Sequence, residues 1–208
     1  MLLFAHGAAW GQARDSAKMG SHWFVGGGAA VHSYININVP YSRTGPPYLM
    51  GGYIVDHRLA IQAEVHYGRR NEENNGGDYM VDGELYNFRS KAQTTSTALL
   101  LLARFTRSRP QRHLQFDWLL GMAIVHGRLN ETNTRTSATR SDSYVYPTIS
   151  STAPHLVGGI SLRYLVSPRF TIGTELLLSK SIPFNYWTII PGGGASLGVS
   201  YLLTPRKP

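Results

Sequence analysis

From Leu156 to Leu178 the chain reads LVGGISLRYLVSPRFTIGTELLL, and its side chains change character with a period of two. Leu156, Gly158, Ile160, Leu162 and Tyr164 share one face, against Val157, Gly159, Ser161 and Arg163. After a turn at Ser167-Pro168-Arg169, Phe170, Ile172, Thr174, Leu176 and Leu178 share a face opposite Thr171, Gly173, Glu175, Leu177 and Ser179. Two is the period of a strand, so the segment predicts a hairpin. A soluble sheet buries its bulky face and shows charges to water. Here the face opposite the bulky groups is mainly glycine and serine with one Arg and one Glu, which suits a crowded, enclosed interior. The pattern predicts a barrel turned inside out, with its apolar face in lipid.

Composition is compatible with this and excludes several alternatives. No apolar run approaches the roughly 20 residues that a spanning helix needs; the longest, Ala98 to Ala103, has the length of a strand. A transmembrane strand needs only about 10 alternating residues, so a mean hydropathy of −0.18 does not argue against one. With Cys 0 there is no disulfide framework and no thiolate metal site. The formal charge of +8 does not point to nucleic acid, because no Lys/Arg run exceeds the pairs Arg69-Arg70 and Arg206-Lys207. A basic surface near lipopolysaccharide phosphates is the more economical reading. At the N-terminus, MLLFAHGAAWGQA joins a short apolar run to a small-x-small site at Gly11-Gln12-Ala13, so residues 1–13 are expected to be the remnant of an export signal. Residues 14–21 then form a periplasmic segment, 22–203 the barrel and 204–208 a periplasmic tail.

Along the chain, alternation predicts strands at about His22–His32, Tyr48–Val55, Leu59–Gly68, Gln93–Phe105, His113–Arg128, the two of the Leu156–Leu178 hairpin, and Gly192–Leu203. Short turns at Asp56, Pro110 and Pro168 alternate with four long connections. The second of these, Arg69 to about Lys91, carries the hydrated cluster NEENNGGD and a small hairpin at Tyr79–Tyr86; the third is a polar loop from Asn130 to Ala153. Eight strands with this asymmetry predict an all-β, eight-stranded, antiparallel up-and-down transmembrane β-barrel with short periplasmic turns and long extracellular loops. Aromatic residues sort with the same polarity. Trp23, Tyr53, Phe105, Phe116, Tyr164, Phe170 and Tyr201 fall near the short turns, and Tyr34, Tyr48, Tyr67, Tyr144, Tyr146, Phe184, Tyr186 and Trp187 near the long connections. They are expected to form two interfacial girdles.

The segments LRYLVSPRFTIGTELLLS, GGYIVDHRLAIQAEVHYGRR and GASLGVSYLL together resemble the small outer-membrane β-barrel domain family common in Bacteroidota, related in architecture to the eight-stranded OmpA and OmpX barrels. The resemblance covers about His22 to Leu203. It consists of strand, turn and glycine patterns, so it implies a fold and an outer-membrane location and carries no catalytic residue. Where such barrels often close on a terminal aromatic, this sequence ends TPRKP, which leaves that role to Tyr201.

Glu64, Arg104, Asp117, Arg163 and Glu175 fall on the inward face, each four to seven residues from its nearest short turn. Such spacing places them at similar depth, as a structural lumen network in which buried charges pair. Arg163 and Glu175 are expected to pair across their hairpin. His66 shares a face with Glu64, an acid–base combination in type, but none of the histidines is followed two residues later by the Ser of an outer-membrane deacylase arrangement. Glu72, Glu73 and Asp78 read as a solvated loop, and the glycine triplets at 26–28 and 192–194 as packing and curvature of the terminal strands. The expectation is therefore a Gram-negative outer-membrane protein without a wide pore, monomeric, with no cofactor, no metal and no enzyme activity. Its expected role is structural, adhesive or partner-binding through its loops, its partners being outer-membrane lipid or lipopolysaccharide and an envelope protein. A small outer-membrane lipid or peptide hydrolase, or an accessory subunit of a secretion or uptake complex, are the alternatives.

Overall fold

The computed structural model describes residues 22–34, 42–81, 83–108, 112–182 and 192–203. Their strands are β1 (His22–Tyr34), β2 (Ser42–Ile54), β3 (Leu59–Val81), β4 (Glu84–Thr106), β5 (Leu114–Thr136), β6 (Ser141–Val145), β7 (Ile149–Leu165), β8 (Phe170–Ser181) and β9 (Gly192–Leu202). Every pairing is antiparallel. β4 joins β5 and β9 returns to β1, so eight strands close a ring, while β6 stands outside it and pairs with β5 alone. Closure leaves no backbone amide unpaired in lipid, where each would cost several kcal/mol.

The expected inside-out alternation decides the exterior. On β5, Leu114, Trp118, Leu120, Met122 and Ile124 are exposed, while Gln115, Asp117, Leu119, Ala123 and Val125 between them are buried. β8 repeats the rule with Phe170, Ile172, Leu176 and Leu178 outward and Glu175, Leu177 and Ser179 inward. At about 3.3 Å per residue and a 45° tilt, the span from Leu114 to Ile124 crosses about 23 Å of bilayer, the height of a transmembrane barrel's apolar band.

The three short turns hold themselves by side-chain acceptors. Asp56 Oδ1 accepts from the N–H groups of Arg58 at 2.6 Å and Leu59 at 2.9 Å. These bonds, that from Arg58 foremost, hold the Asp56 carboxyl below the usual carboxylate range. Ser167 Oγ accepts from the N–H of Phe170 at 3.0 Å, and Ser108 Oγ from that of Phe116 at 2.9 Å.

Two of the long connections are strands rather than loops, contrary to the reading of their polar sequence. β3 and β4 run in register all the way from Leu59↔Phe105 to Val81↔Glu84, so the Tyr79–Tyr86 hairpin is the tip of a ladder 23 residues long on each side. NEENNGGD is not the turn: its glycines accommodate a bulge between Asn75 and Gly77, where φ is +82°, and the chain reverses at Gly83, where φ is +83°. Polar residues with low strand propensity extend here because the ladder is already seeded by the barrel below. β5 likewise continues to Thr136, where β6 folds back upon it. The expected signal remnant 1–13, the segment 14–21 and the tail 204–208 lie outside the described residues.

A filled lumen and an extended blade as candidate functional sites

At the short-turn end the lumen is floored by Phe24, Ala60 and Leu202, with Ile54 packed against them. Above this floor lies the charged layer. Arg104 is its hub, its Nη1 donating to Asp117 Oδ2 at 2.8 Å and Ser161 Oγ at 3.0 Å, and its Nη2 to Glu175 Oε1 at 2.5 Å. The Arg104 guanidinium also donates to Gln62 Oε1, whose amide nitrogen in turn donates to Glu64. Arg163 grips Asp117 with both ends of its fork, Nε to Oδ2 at 2.6 Å and Nη2 to Oδ1 at 2.9 Å, and reaches Thr106 Oγ1 at 3.1 Å. His66 Nε2 lies 2.6 Å from Glu64 Oε2, a contact that needs a proton on one of the two.

The six charged or imidazole side chains singled out from sequence (Glu64, His66, Arg104, Asp117, Arg163 and Glu175) therefore meet in one connected network. Their pairing differs from expectation at one point. The β7–β8 register sets Arg163 opposite Gly173 and Glu175 opposite Ser161, so Arg163 turns to Asp117 on β5 and Glu175 to Arg104 on β4. The neutral linkers Gln62 and Ser161 carry no charge to draw attention, although both share the inward alternation with the charged residues two positions away.

Beside and above the charged layer Leu100, Leu102, Leu119, Val125, Val157 and Leu177 form one buried cluster that also takes in Tyr34. Tyr34 joins it to imidazoles: His32 Nε2 meets Ser179 Oγ at 2.9 Å, the His32 ring stacks on Tyr34 at 4.1 Å, and Tyr34 meets His155 edge-on at 5.4 Å. A recess from the short-turn mouth has a volume near 40 Å³, room for very few waters, and it is lined at its inner end by Gln62, Arg104 and Glu175. Barrels of eight strands have interiors just wide enough for side chains, and this one is filled.

The aromatic residues near the short turns lie on the lipid face in contact with one another. Trp23 and Tyr53 approach to 5.1 Å, Phe116 and Trp118 to 5.5 Å, and Phe170 and Tyr201 to 5.4 Å, with Phe105 and Tyr164 exposed nearby. At the opposite rim Tyr67 faces outward, Tyr144 stands on β6 above the band with Tyr146 just beyond it, and Phe184, Tyr186 and Trp187 lie outside the described residues. Two assignments to that girdle require correction. Tyr34 and Tyr48 point into the lumen, with 0% and 3% of their surfaces exposed. Tyr48 shares a face with Met50 and Gly52 and lies opposite the inward His66, so unbroken alternation from the outward Tyr53 turns it into the lumen, and glycines make the room for its ring. Tyr48 pairs Gly28, Gly28 pairs Gly198, and a Cβ on Gly198 would stand 2.2 Å from the Tyr48 hydroxyl. The backbone is also close at Gly28, where a Cβ would fall 2.1 Å from Leu197 O. Gly28→Ala is therefore expected to lower the unfolding free energy by about 1–3 kcal/mol, the cost of overpacking. Urea titration of the vesicle-folded chain reads this, and an unchanged midpoint would contradict so close an approach.

Beyond the ring, β3, β4, β5 and β6 continue as a four-stranded sheet, here termed the blade. β2 leaves β3 at Tyr67, and β7 leaves β5 at Leu129, so the blade has two open borders among the described residues, β3 above Tyr67 and β6. Register places Tyr79, Tyr86, Phe88, Arg135 and Tyr144 on one face. Tyr79 and Tyr86 stack at 6.1 Å, and Tyr144 is 60% exposed. At the tip Glu84 accepts from the Thr139 hydroxyl, a bond that holds its carboxyl below the usual range and ties β4 to the β5–β6 turn.

No protein-family model and no curated protein matches the sequence. Solved structures do match over most of the chain. OprG from Pseudomonas aeruginosa aligns with a TM-score of 0.50 at 9% identity, covering 89% of this chain and 96% of its own. A major outer membrane protein from Thermus thermophilus gives 0.49 at 13%, covering 88% and 100%. Ail, the attachment invasion locus protein of Yersinia pestis, gives 0.46 at 14%, covering 88% and 97%. The likeness to OprG is one of fold, and the fold is that of an outer-membrane β-barrel.

Proposed function

We propose that this chain is a small outer-membrane barrel of the kind its Bacteroidota resemblance implies, with no wide pore, whose extracellular blade binds a protein partner in an adhesive or structural role. A membrane crossing needs about 10 residues per strand, and β3 and β4 have 23 each. More than half of each is therefore devoted to a sheet held outside the bilayer, and this excess carries the reading. Open strand borders recruit a further strand from a partner, and tyrosine, phenylalanine and arginine are enriched where proteins meet. A hydrolase reading lacks an accessible acid–base pair, because Glu64 and His66 are each 1% exposed inside the lumen. The charged layer acts as a structural plug that sets the barrel's cross-section.

The test removes the β3–β4 part of the blade, with its Tyr79 and Tyr86, and keeps the barrel. Joining Arg70 to Thr94, which face each other across the ladder, through a two-residue Asn-Gly turn deletes the tip without disturbing the lumen. The shortened protein should fold, as judged by heat-modifiable gel migration, and cells displaying it should lose attachment to a protein-coated surface and co-purification of partners in mild detergent. Undiminished attachment and an unchanged set of co-purified proteins would refute a partner-binding blade.

A further inference from the structure

The excess positive charge is not spread evenly. In the short turns, the described residues include Arg58, Arg107, Arg112 and Arg169, all exposed, against the single acid Asp56. None of the four arginines is in a salt bridge among the described residues. The blade differs in holding acids among its bases: there Arg70 pairs with Glu72, Lys91 with Glu73 and Arg140 with Asp142, and Asp78, Glu84 and Glu131 share strands with Arg69, Arg89 and Arg135. Asp56 spends its carboxylate on the backbone of its own turn.

Position gives these arginines a common partner. Arg169 immediately precedes the lipid-facing Phe170, Arg58 precedes Leu59, Arg107 follows Phe105 by two residues, and Arg112 precedes Leu114 by two. At about 3.3 Å per residue, each guanidinium stem starts within about 7 Å of the edge of the apolar band. That is the thickness of one headgroup layer, about 5–7 Å on each side of the hydrocarbon. The backbone carrying three of them is fixed. Arg58 O accepts from Thr106 N–H at 2.7 Å, Arg107 N–H donates to Phe116 O at 3.0 Å, and Arg169 O accepts from Leu202 N–H at 2.8 Å. Arg169 Nη1 also donates to the outward Tyr201 hydroxyl at 3.0 Å, which sets one guanidinium on the lipid side of the rim.

We propose that Arg58, Arg107, Arg112 and Arg169 form a collar that selects anionic phospholipid, a phosphodiester headgroup without a compensating ammonium, from the periplasmic leaflet. Arginine suits this role because its planar fork takes two phosphate oxygens at once. The collar rests on the membrane placement of the barrel and is independent of what the blade binds. It also gives part of the net charge a destination on the face opposite lipopolysaccharide. One basic side chain at a membrane surface favours anionic lipid by about fivefold, and an annular lipid meets about one of them.

The test uses the full chain, with Trp10→Phe and Trp187→Phe, folded into phosphatidylethanolamine vesicles so that Trp23 and Trp118 report. Brominated phosphatidylglycerol should quench them with an effective affinity about three- to fivefold above that of brominated phosphatidylethanolamine. The preference should fall toward unity in the R58Q/R107Q/R112Q/R169Q variant and in high salt. Equal quenching of the unmodified collar by the two lipids overturns the proposal while leaving the barrel in its membrane. Absence of quenching by either overturns the membrane placement itself. Should the variant not fold, the headgroup comparison and its salt dependence decide alone. A collar-dependent affinity for peptidoglycan sacculi, with no lipid preference, would assign it to an anionic wall polymer and equally overturn the proposal.

Discussion

Arg104→Met is expected to lower the unfolding free energy of the vesicle-folded protein by about 3–5 kcal/mol, the cost of breaking a buried ion pair by removing one partner. The geometry says which charge is stranded. Asp117 keeps both of its bonds to Arg163, so it loses least. Glu175 keeps only the Gln62 amide at 3.4 Å on Oε1, and its Oε2 has no partner among the described residues. A carboxylate left this way inside a filled lumen cannot recover hydration. Adding Glu175→Gln to Arg104→Met should therefore restore most of the loss, whereas adding Asp117→Asn should worsen it by stranding Arg163. Urea titrations of the two singles and the double close the cycle and yield the coupling. Additive effects of Arg104→Met and Glu175→Gln would show that the hub does not hold Glu175.

Leu120→Arg should cost about 2–4 kcal/mol, the penalty for arginine on the lipid face at the bilayer midplane. Leu120 is 62% exposed and sits midway along the β5 band, between Trp118 and Met122. In water such an exposed position would tolerate the change within about 0.5 kcal/mol. The size of the effect thus depends on the solvent outside the barrel. Asn74→Arg, on the exposed blade, serves as the control and should be nearly neutral. Urea unfolding in vesicles compares the two. A neutral Leu120→Arg would mean that the outer face does not meet hydrocarbon, and the membrane reading would fall.

Both predictions rest on features that differ in how far they were legible. The faces of β3, β5, β7 and β8 follow from alternation alone, because the neighbour on a strand's face is always two residues away. The short turns at Asp56 and Pro168 were equally plain, since an Asx or Ser acceptor and a proline act within four residues. The inward set Glu64, Arg104, Asp117, Arg163 and Glu175 was legible for the same reason. Its wiring was not. Which carboxylate each arginine takes depends on cross-strand register, and Arg163 faces Gly173 rather than Glu175. Tyr48, by contrast, was within reach of a simple count, because it lies five positions from the outward Tyr53 and so on the opposite face.

The blade shows the same division at larger scale. NEENNGGD and the Thr- and Ser-rich stretch after Asn130 have the composition of solvated loops, and local propensity says loop. Each becomes strand because it continues a ladder that the barrel has already aligned, so that every added pair costs little ordering beyond what the pair below has fixed. Sequence by itself determined that this chain makes strands with one greasy and one small or charged face, and hence a closed barrel with lipid outside. Only the tertiary structure decided which of the lumen charges pair and how far the sheet stands above the membrane. Periodicity is written between near neighbours in the chain, whereas register and closure bind residues from strands far apart in it.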